Sequence, residues 1–277
     1  MEVAQTHLRR LLEPLTTVDG QAKLTVSDDA IVVTSVDDAI ITAVEASLHQ
    51  NLCHEYEAAP GTIEFDPVAL RDVLAAARDD DELAQFSYAP EESTLRLALP
   101  SVVHTQTVAA DVTVERPDID GSPDSAITYH ARDDVSHALE YFADHSPVVA
   151  FGYDESGDEC YLEGVSTSET ILETKTRYRC AREQRARSST PESVRSAFST
   201  AKLRAIVGTV PSDTVIRAEY ADAFPIRLAW GLTGGRGIVE ETLTEVTVLL
   251  APREDSDTPA TELEQTSRVD RVKNALF

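Results

Sequence analysis

The feature that most constrains this chain is an internal echo. Phe65-Asp66-x-x-x-Leu70-Arg71-x-Val73-Leu74 returns as Phe198-Ser199-x-x-x-Leu203-Arg204-x-Ile206-Val207, displaced by 198 − 65 = 133 residues. In each copy an aromatic residue precedes a good helix N-cap, Asp in one and Ser in the other. Leu70 with Leu74, and Leu203 with Val207, stand four apart and so share one side of a helix. An aromatic, a cap, a leucine and an arginine in one frame, each copy followed by strand-like sequence, point to a duplicated unit rather than two unrelated helices.

A duplicated chain needs a seam, and residues 116–125 supply it, with Pro117, Pro123, Gly121 and three aspartates but little to pack. The expected division is a first domain over 1–115, a connector over 116–125 and a second domain over 126–253. A tail over 254–277, rich in Glu, Asp, Ser, Thr and Pro, is expected to be disordered. It ends with Val269, Val272 and Leu276 at helical spacing. With 277 residues, both domains have room for a core.

Within the first domain the spacing predicts a helix over 7–15, with Leu8, Leu11, Leu12 and Leu15 on one face and Arg9 and Arg10 opposite. Strands are expected over 23–27, 30–36 and 40–48. Asp66 then caps a helix that Pro67 can start, since its missing N–H costs nothing there. Val68, Leu70, Val73 and Leu74 form its expected buried side, with Arg71 and Arg78 pointing away. Strands are expected again over 84–88, 94–99 and 108–115. After the seam the pattern restarts with a strand over 126–130, a helix over 134–143 and a strand over 148–153.

Charge limits what the surface can do. There are 49 acidic and 24 basic residues, a net charge of −25, and only four of the basic residues are lysine. Such a surface stays hydrated and self-repelling. It suits a salt-rich cytoplasm, where the Debye length falls to about 3 Å at 1 M salt. One stretch breaks the pattern: Lys175, Arg177, Arg179, Arg182, Arg185 and Arg187 stand together with a single acid, Glu183. Cys53, Cys160 and Cys180 are odd in number and far apart, so no disulfide framework is indicated. The first residues lack the apolar core of a signal peptide, and no run is long enough to span a membrane. A soluble, reduced, cytoplasmic protein is expected.

Catalytic signatures were sought and not found: there is no G-x-S-x-G, Walker loop, C-x-x-C or H-E-x-x-H. Gly234-Gly235-Arg236-Gly237 is followed by neither a Lys-Ser pair nor a helix, and reads as a hairpin tip. His49, Cys53 and His54 stand at a strand end, where alternation sends Cys53 and His54 to opposite faces, away from a shared metal. Asp37-Asp38 between two strands reads as a turn. No enzyme activity, cofactor or metal is expected.

Three motifs carry a resemblance. Ala30 to Leu48 (A-I-V-V-T-S-V-D-D-A-I-I-T-A-V-E-A-S-L) is the first, and the start Phe198-Ser199-Thr200-Ala201-Lys202-Leu203 is the second. The third is Phe224-Pro225-Ile226 together with Leu249-Leu250-Ala251-Pro252-Arg253. In their order and spacing these resemble the DNA sliding clamps of the proliferating cell nuclear antigen (PCNA) type, found in archaea and eukaryotes. With the composition, this implies a haloarchaeal source or a haloarchaeal mobile element. The resemblance implies an α+β fold of two similar domains, antiparallel sheets outside and four helices lining a channel. Three subunits would join head to tail into a ring.

The resemblance also implies a function and its residues. The ring would encircle duplex DNA as a processivity factor, be opened by a clamp loader, and tether DNA polymerase and other clients. Arg9, Arg10, Arg71 and Arg204 are the expected DNA-facing residues, while His137 and Glu140 stand where basic residues are usual. Val36, Ile40, Ile41, Ile119, Pro225, Leu249, Ala251 and Pro252 match the client pocket. Arg177, Arg179 and Arg182 are expected at the subunit interface, against an acidic edge with Asp111 and Glu115, or on nucleic acid. The competing expectation is a diverged clamp paralogue, acting as a regulator or as one subunit of a hetero-oligomer.

Overall fold

The computed structural model describes residues 1–253 except 19, 38, 40, 59, 78, 80, 81, 111, 113, 115, 116, 118–125, 155–158, 166–174, 180–192 and 234–243. For 165 and 175–179 it describes the backbone. Two compact units emerge: residues 1–116 with 230–247, and residues 117–229 with 248–277. The piece 230–247 goes with the first unit rather than with 126–253. There the Glu245 N–H donates to Ser47 Oγ at 3.1 Å.

The first unit runs β1 (Glu2–Ala4), α1 (Gln5–Leu12), β2 (Ala22–Val26), β3 (Ala30–Val36), β4 (Thr42–His49), β5 (Cys53–Glu55), β6 (Gly61–Phe65), α2 (Pro67–Leu74), β7 (Leu83–Ala89), β8 (Thr94–Leu99) and β9 (Val102–Thr107). One sheet has the order β5-β1-β7-β8-β9 and another contains β4-β3-β2-β6. The second half of the chain repeats the plan. It runs β10 (Ala126–Ala131), α3 (Arg132–Ala143), β11 (Val148–Asp154), β12 (Glu159–Val165), β13 (Lys175–Arg179), β14 (Val194–Ser199), α4 (Thr200–Gly208), β15 (Val215–Tyr220), β16 (Ile226–Gly231) and β17 (Glu245–Leu250). Its sheet β13-β12-β11-β14 reproduces β4-β3-β2-β6 strand for strand, and β10-β15-β16 followed by β17 reproduces β1-β7-β8-β9. The fold is α+β with antiparallel pairing, as in β2 with β3 and β11 with β12.

The repeat is visible in how the helices begin. Asp66 Oδ1 accepts the Val68 and Ala69 N–H groups at 2.9 and 3.3 Å, and Ser199 Oγ accepts the Lys202 N–H at 3.4 Å. Each thereby satisfies a donor that a helix start leaves open. The other two helices start without a side-chain cap, straight out of a strand, through Ala4 (φ −59, ψ 132) and Ala131 (φ −63, ψ 132).

Burial follows the apolar stripes. Leu8, Leu11 and Leu12 of α1 and Leu70 and Leu74 of α2 are buried in the first unit, where the two helices pack together. Leu139 and Phe142 of α3 and Leu203 and Ile206 of α4 do the same in the second. Each such side chain contributes about 1.5–3 kcal/mol when fully buried. Phe151 sits edge-on to Phe198 at 6.2 Å and 5.8 Å from Tyr220, filling the core of the second unit.

Two expectations are corrected. Val68 is exposed, because the buried stripe of α2 is Pro67, Leu70 and Leu74, and Val68 lies one position round the helix from it. The described residues of the strand expected over 108–115 form no strand, and the strand that pairs with β8 is Val102–Thr107; 111, 113 and 115 lie outside the described residues. Leu99 is opposite Val102, so Pro100-Ser101 makes a two-residue hairpin, and the pairing is used up when Thr107 meets Thr94. Beyond it Ala109 makes a single bridge to Glu64. The connector, the 234–237 tip, most of the basic stretch and the tail lie outside the described residues.

Candidate functional site

The second repeated helix of each unit shows its arginine to the outside. Arg204 is exposed on α4. Arg71 on α2 is bound to the neighbouring Asp72 carboxylate, with Nε donating at 3.0 Å. On α1 the two arginines are half-buried and tied to main chain. Arg9 Nη2 donates to Leu74 O at 3.2 Å, on the last turn of α2. Arg10 Nη1 donates to Thr233 O at 2.8 Å and Leu232 O at 3.4 Å. Both guanidiniums thus serve carbonyls at the ends of elements. Burial and the nearby Arg10 charge push the His7 pKa down.

The outer side of α3 has a different character. Asp133, His137, Glu140, Tyr141 and Asp144 are all exposed, and Asp133 is partnered by Arg132 at 3.0 Å. In the second unit Arg204 is thus exposed on a helix that packs beside the acidic α3.

The expected pocket residues fall on both units. In the first, Val36 is half-buried and Ile41 is 42% exposed. The hairpin that presents them is built by buried Asp37, whose Oδ1 accepts the Ile41 N–H at 2.6 Å while its N–H donates to Thr42 O at 3.0 Å. The turn reading of Asp37 is thus the correct one, and Asp38 and Ile40 lie outside the described residues, as does Ile119.

In the second unit Leu249 and Pro225 are buried, and Ala251 and Pro252 are half-buried. The closing Leu-Leu-Ala-Pro-Arg has a physical reason. After β17 the chain crosses to the outer edge of β14, where the Arg253 N–H donates to Ala197 O at 2.7 Å. Asp222 Oδ1 accepts the Arg195 N–H at 2.6 Å and Phe224 O accepts from Ser196 Oγ at 3.2 Å on that same strand. The first unit closes in the equivalent way, with the Glu64 N–H donating to Ala109 O at 2.8 Å. Pro252 is therefore fixed near a covered sheet edge with its apolar ring partly in water.

Of the basic stretch, β13 places Arg177 opposite Glu163 and Arg179 opposite Tyr161, while Arg182 lies outside the described residues. Glu163 is only 2% exposed and pairs with Arg195 at 3.4 Å. β13 is the terminal strand of its sheet, as β9 is of its own, and neither has a neighbour on its outer side among the described residues. No acid is found within β9; Asp111 and Glu115 come after it and lie outside the described residues. The open β9 edge was missed in the sequence, and the hairpin Pro100-Ser101 was the signal that would have found it. Among the described residues no group of three or more His, Cys, Asp or Glu is arranged to hold a metal ion, and no helix is long and apolar enough to cross a membrane.

No protein-family profile matches the chain. The DNA polymerase sliding clamp of Natronomonas pharaonis is 24% identical over 260 residues, covering 92% of this chain and 98% of that protein. Among solved structures, A. fulgidus PCNA, determined with the C-terminal region of FEN-1 bound, superposes with a TM-score of 0.76 at 18% identity, covering 92% and 98% of the two chains. The PCNA2–PCNA3 complex from Sulfolobus tokodaii gives 0.71 at 12% identity, covering 91% and 99%. The duplicated fold of these chains is the fold described above.

Proposed function

We propose that this chain, a PCNA-type DNA sliding clamp in fold and in sequence likeness, is a processivity factor that closes into a ring around duplex DNA and tethers DNA polymerase and other DNA-processing proteins. The role is binding, without catalysis. One observation carries the reading. Inside the first unit, residues 245–247 of β17 lie alongside β4. In the repeat, β9 is the counterpart of β17 and β13 the counterpart of β4, and both are open edges. The joint made once within the chain is thus available once more between chains, β9 of one copy against β13 of the next. Being heterologous, it closes a ring when the rotation permits. Three copies, each contributing two units, give the homotrimer.

Salt favours such a device. Affinity built on phosphate contacts falls steeply as salt rises, because counterion release loses its advantage. A ring holds DNA by topology and needs only weak contacts, for which Arg9, Arg10, Arg71 and Arg204 are the residues assigned. Clients dock through Val36 and Ile41 of the first unit, with Ile40, and through Pro225, Leu249, Ala251 and Pro252 of the second, with Ile119. A clamp loader opens the ring, and the cytoplasm is where it works. The mass in solution, measured by light scattering in KCl of about 1 M or more, tests the reading. Three times the chain mass is expected, and a monomer at every concentration contradicts it.

A further inference from the structure

The open edge of the first unit carries two nitrogens that the single chain leaves without a partner. His104 Nε2 and Gln106 Nε2 are shut off from water and meet no acceptor. They stand on one side of β9, opposite the fully buried Leu97 and Leu95 of β8. Buried donors left unmatched destabilise the chain that holds them, and folded proteins keep few of them. Both side chains are half-buried overall. The outer torsion is soft for Gln and His, so each nitrogen is free to turn.

We infer that His104 and Gln106 determine the specificity of the joint between subunits, their N–H groups being taken up by carbonyl oxygens on the open edge of β13 in a second copy of this chain. The inference rests on the ring reading and names the residues that decide which edge meets which. Charge selects the same pairing. β9 reads V-V-H-T-Q-T with no ionised carboxylate or permanent cation, whereas β13 carries Lys175, Arg177 and Arg179 and no acid. Two β13 edges side by side would set like charges against each other. β9 against β13 does not. A joint of side-chain N–H groups and backbone carbonyls needs no ion pair of the kind that concentrated salt screens.

The unmatched donors give the inference an unusual signature: it predicts opposite effects on the subunit and on the assembly. Gln106→Leu and His104→Leu remove the donor and leave an apolar side chain. The wild type and both variants are diluted in about 0.3 M and about 3 M KCl, with the assembly followed by light scattering and the melting temperature read where the chain is monomeric. The expected result is a subunit dissociation constant raised about tenfold or more in both salts, together with a free subunit that melts at least about 2 °C higher. Gln106→Met, of the same length and also without a donor, repeats the measurement should Gln106→Leu fold poorly. Variants that assemble as tightly as wild type, or whose free subunit melts lower, overturn the inference while leaving the ring intact. A wild type that never assembles strikes the ring reading itself.

Discussion

The ring of Phe142 on α3 lies directly over Gly164 of β12. A Cβ placed on Gly164 would come within 2.5 Å of Phe142 Cδ1 and 2.8 Å of Cε1. The absence of a side chain on the strand is what lets the helix seat its largest apolar group on the sheet.

Gly164→Ala is therefore an overpacking change. Phe142 is 1% exposed and held on all sides, so it cannot step aside. A loss of about 1–3 kcal/mol is expected, read as a lower denaturant midpoint at unchanged slope. A midpoint equal to wild type would show that the contact is not constraining.

The two repeated caps differ in strength. Asp66 accepts two N–H groups, whereas Ser199 accepts one at 3.4 Å. Asp66→Ala should cost about 1 kcal/mol, and Ser199→Ala clearly less. Urea unfolding of both variants checks the order, and a larger loss for Ser199→Ala would reverse the assignment.

His130 makes the second unit sensitive to acid. It is fully buried, joined to Thr128 Oγ1 at 2.7 Å through Nε2, and burial lowers its pKa to about 4 despite the nearby Asp134. The ordinary value is 6.5, so between these two pH values the unfolded chain binds the proton more readily than the folded one. Stability is full above the upper value, falls as pH drops through the window by up to roughly 3 kcal/mol, and levels below it. Thermal melts of wild type and His130→Asn across the window should show a steeper slope for wild type. Equal slopes would remove His130 from the account.

Ile41 is the cleanest probe of the client surface. At 42% exposure it can become Asp with little change in stability, whereas Leu249 at 4% cannot. With the DNA polymerase that the chain is proposed to tether as the probe, Ile41→Asp and Pro252→Asp should each weaken binding about tenfold or more. Both should leave the oligomer unchanged. Unaltered affinity in both would place the client surface elsewhere.

Much of this was readable in the residues, and the rest was unreadable for physical reasons. The helix starts at Asp66 and Ser199 announce themselves because a cap is a local signal, complete within three residues. The edge strand Val102–Thr107 does not. Its alternation mixes Val with His, Thr and Gln, because one side faces water and no strand lies beyond it among the described residues. The role of Arg10 is harder still. Its carbonyl partners are 222 and 223 residues away in sequence, and no pattern in the sequence announces such a contact. Ile41 was expected in the client pocket, and it is the hairpin geometry of Asp37 that explains why an isoleucine stays in water.

Encirclement is the central claim, and topology tests it most directly. The chain is loaded by its clamp loader onto nicked circular DNA in KCl of about 1 M or more, and the bound fraction is followed by gel filtration before and after one restriction cut. The account predicts that the protein stays on the circle through the column and is lost within minutes once the DNA is linear. Equal retention on circular and linear DNA, or equal loss from both, would contradict it.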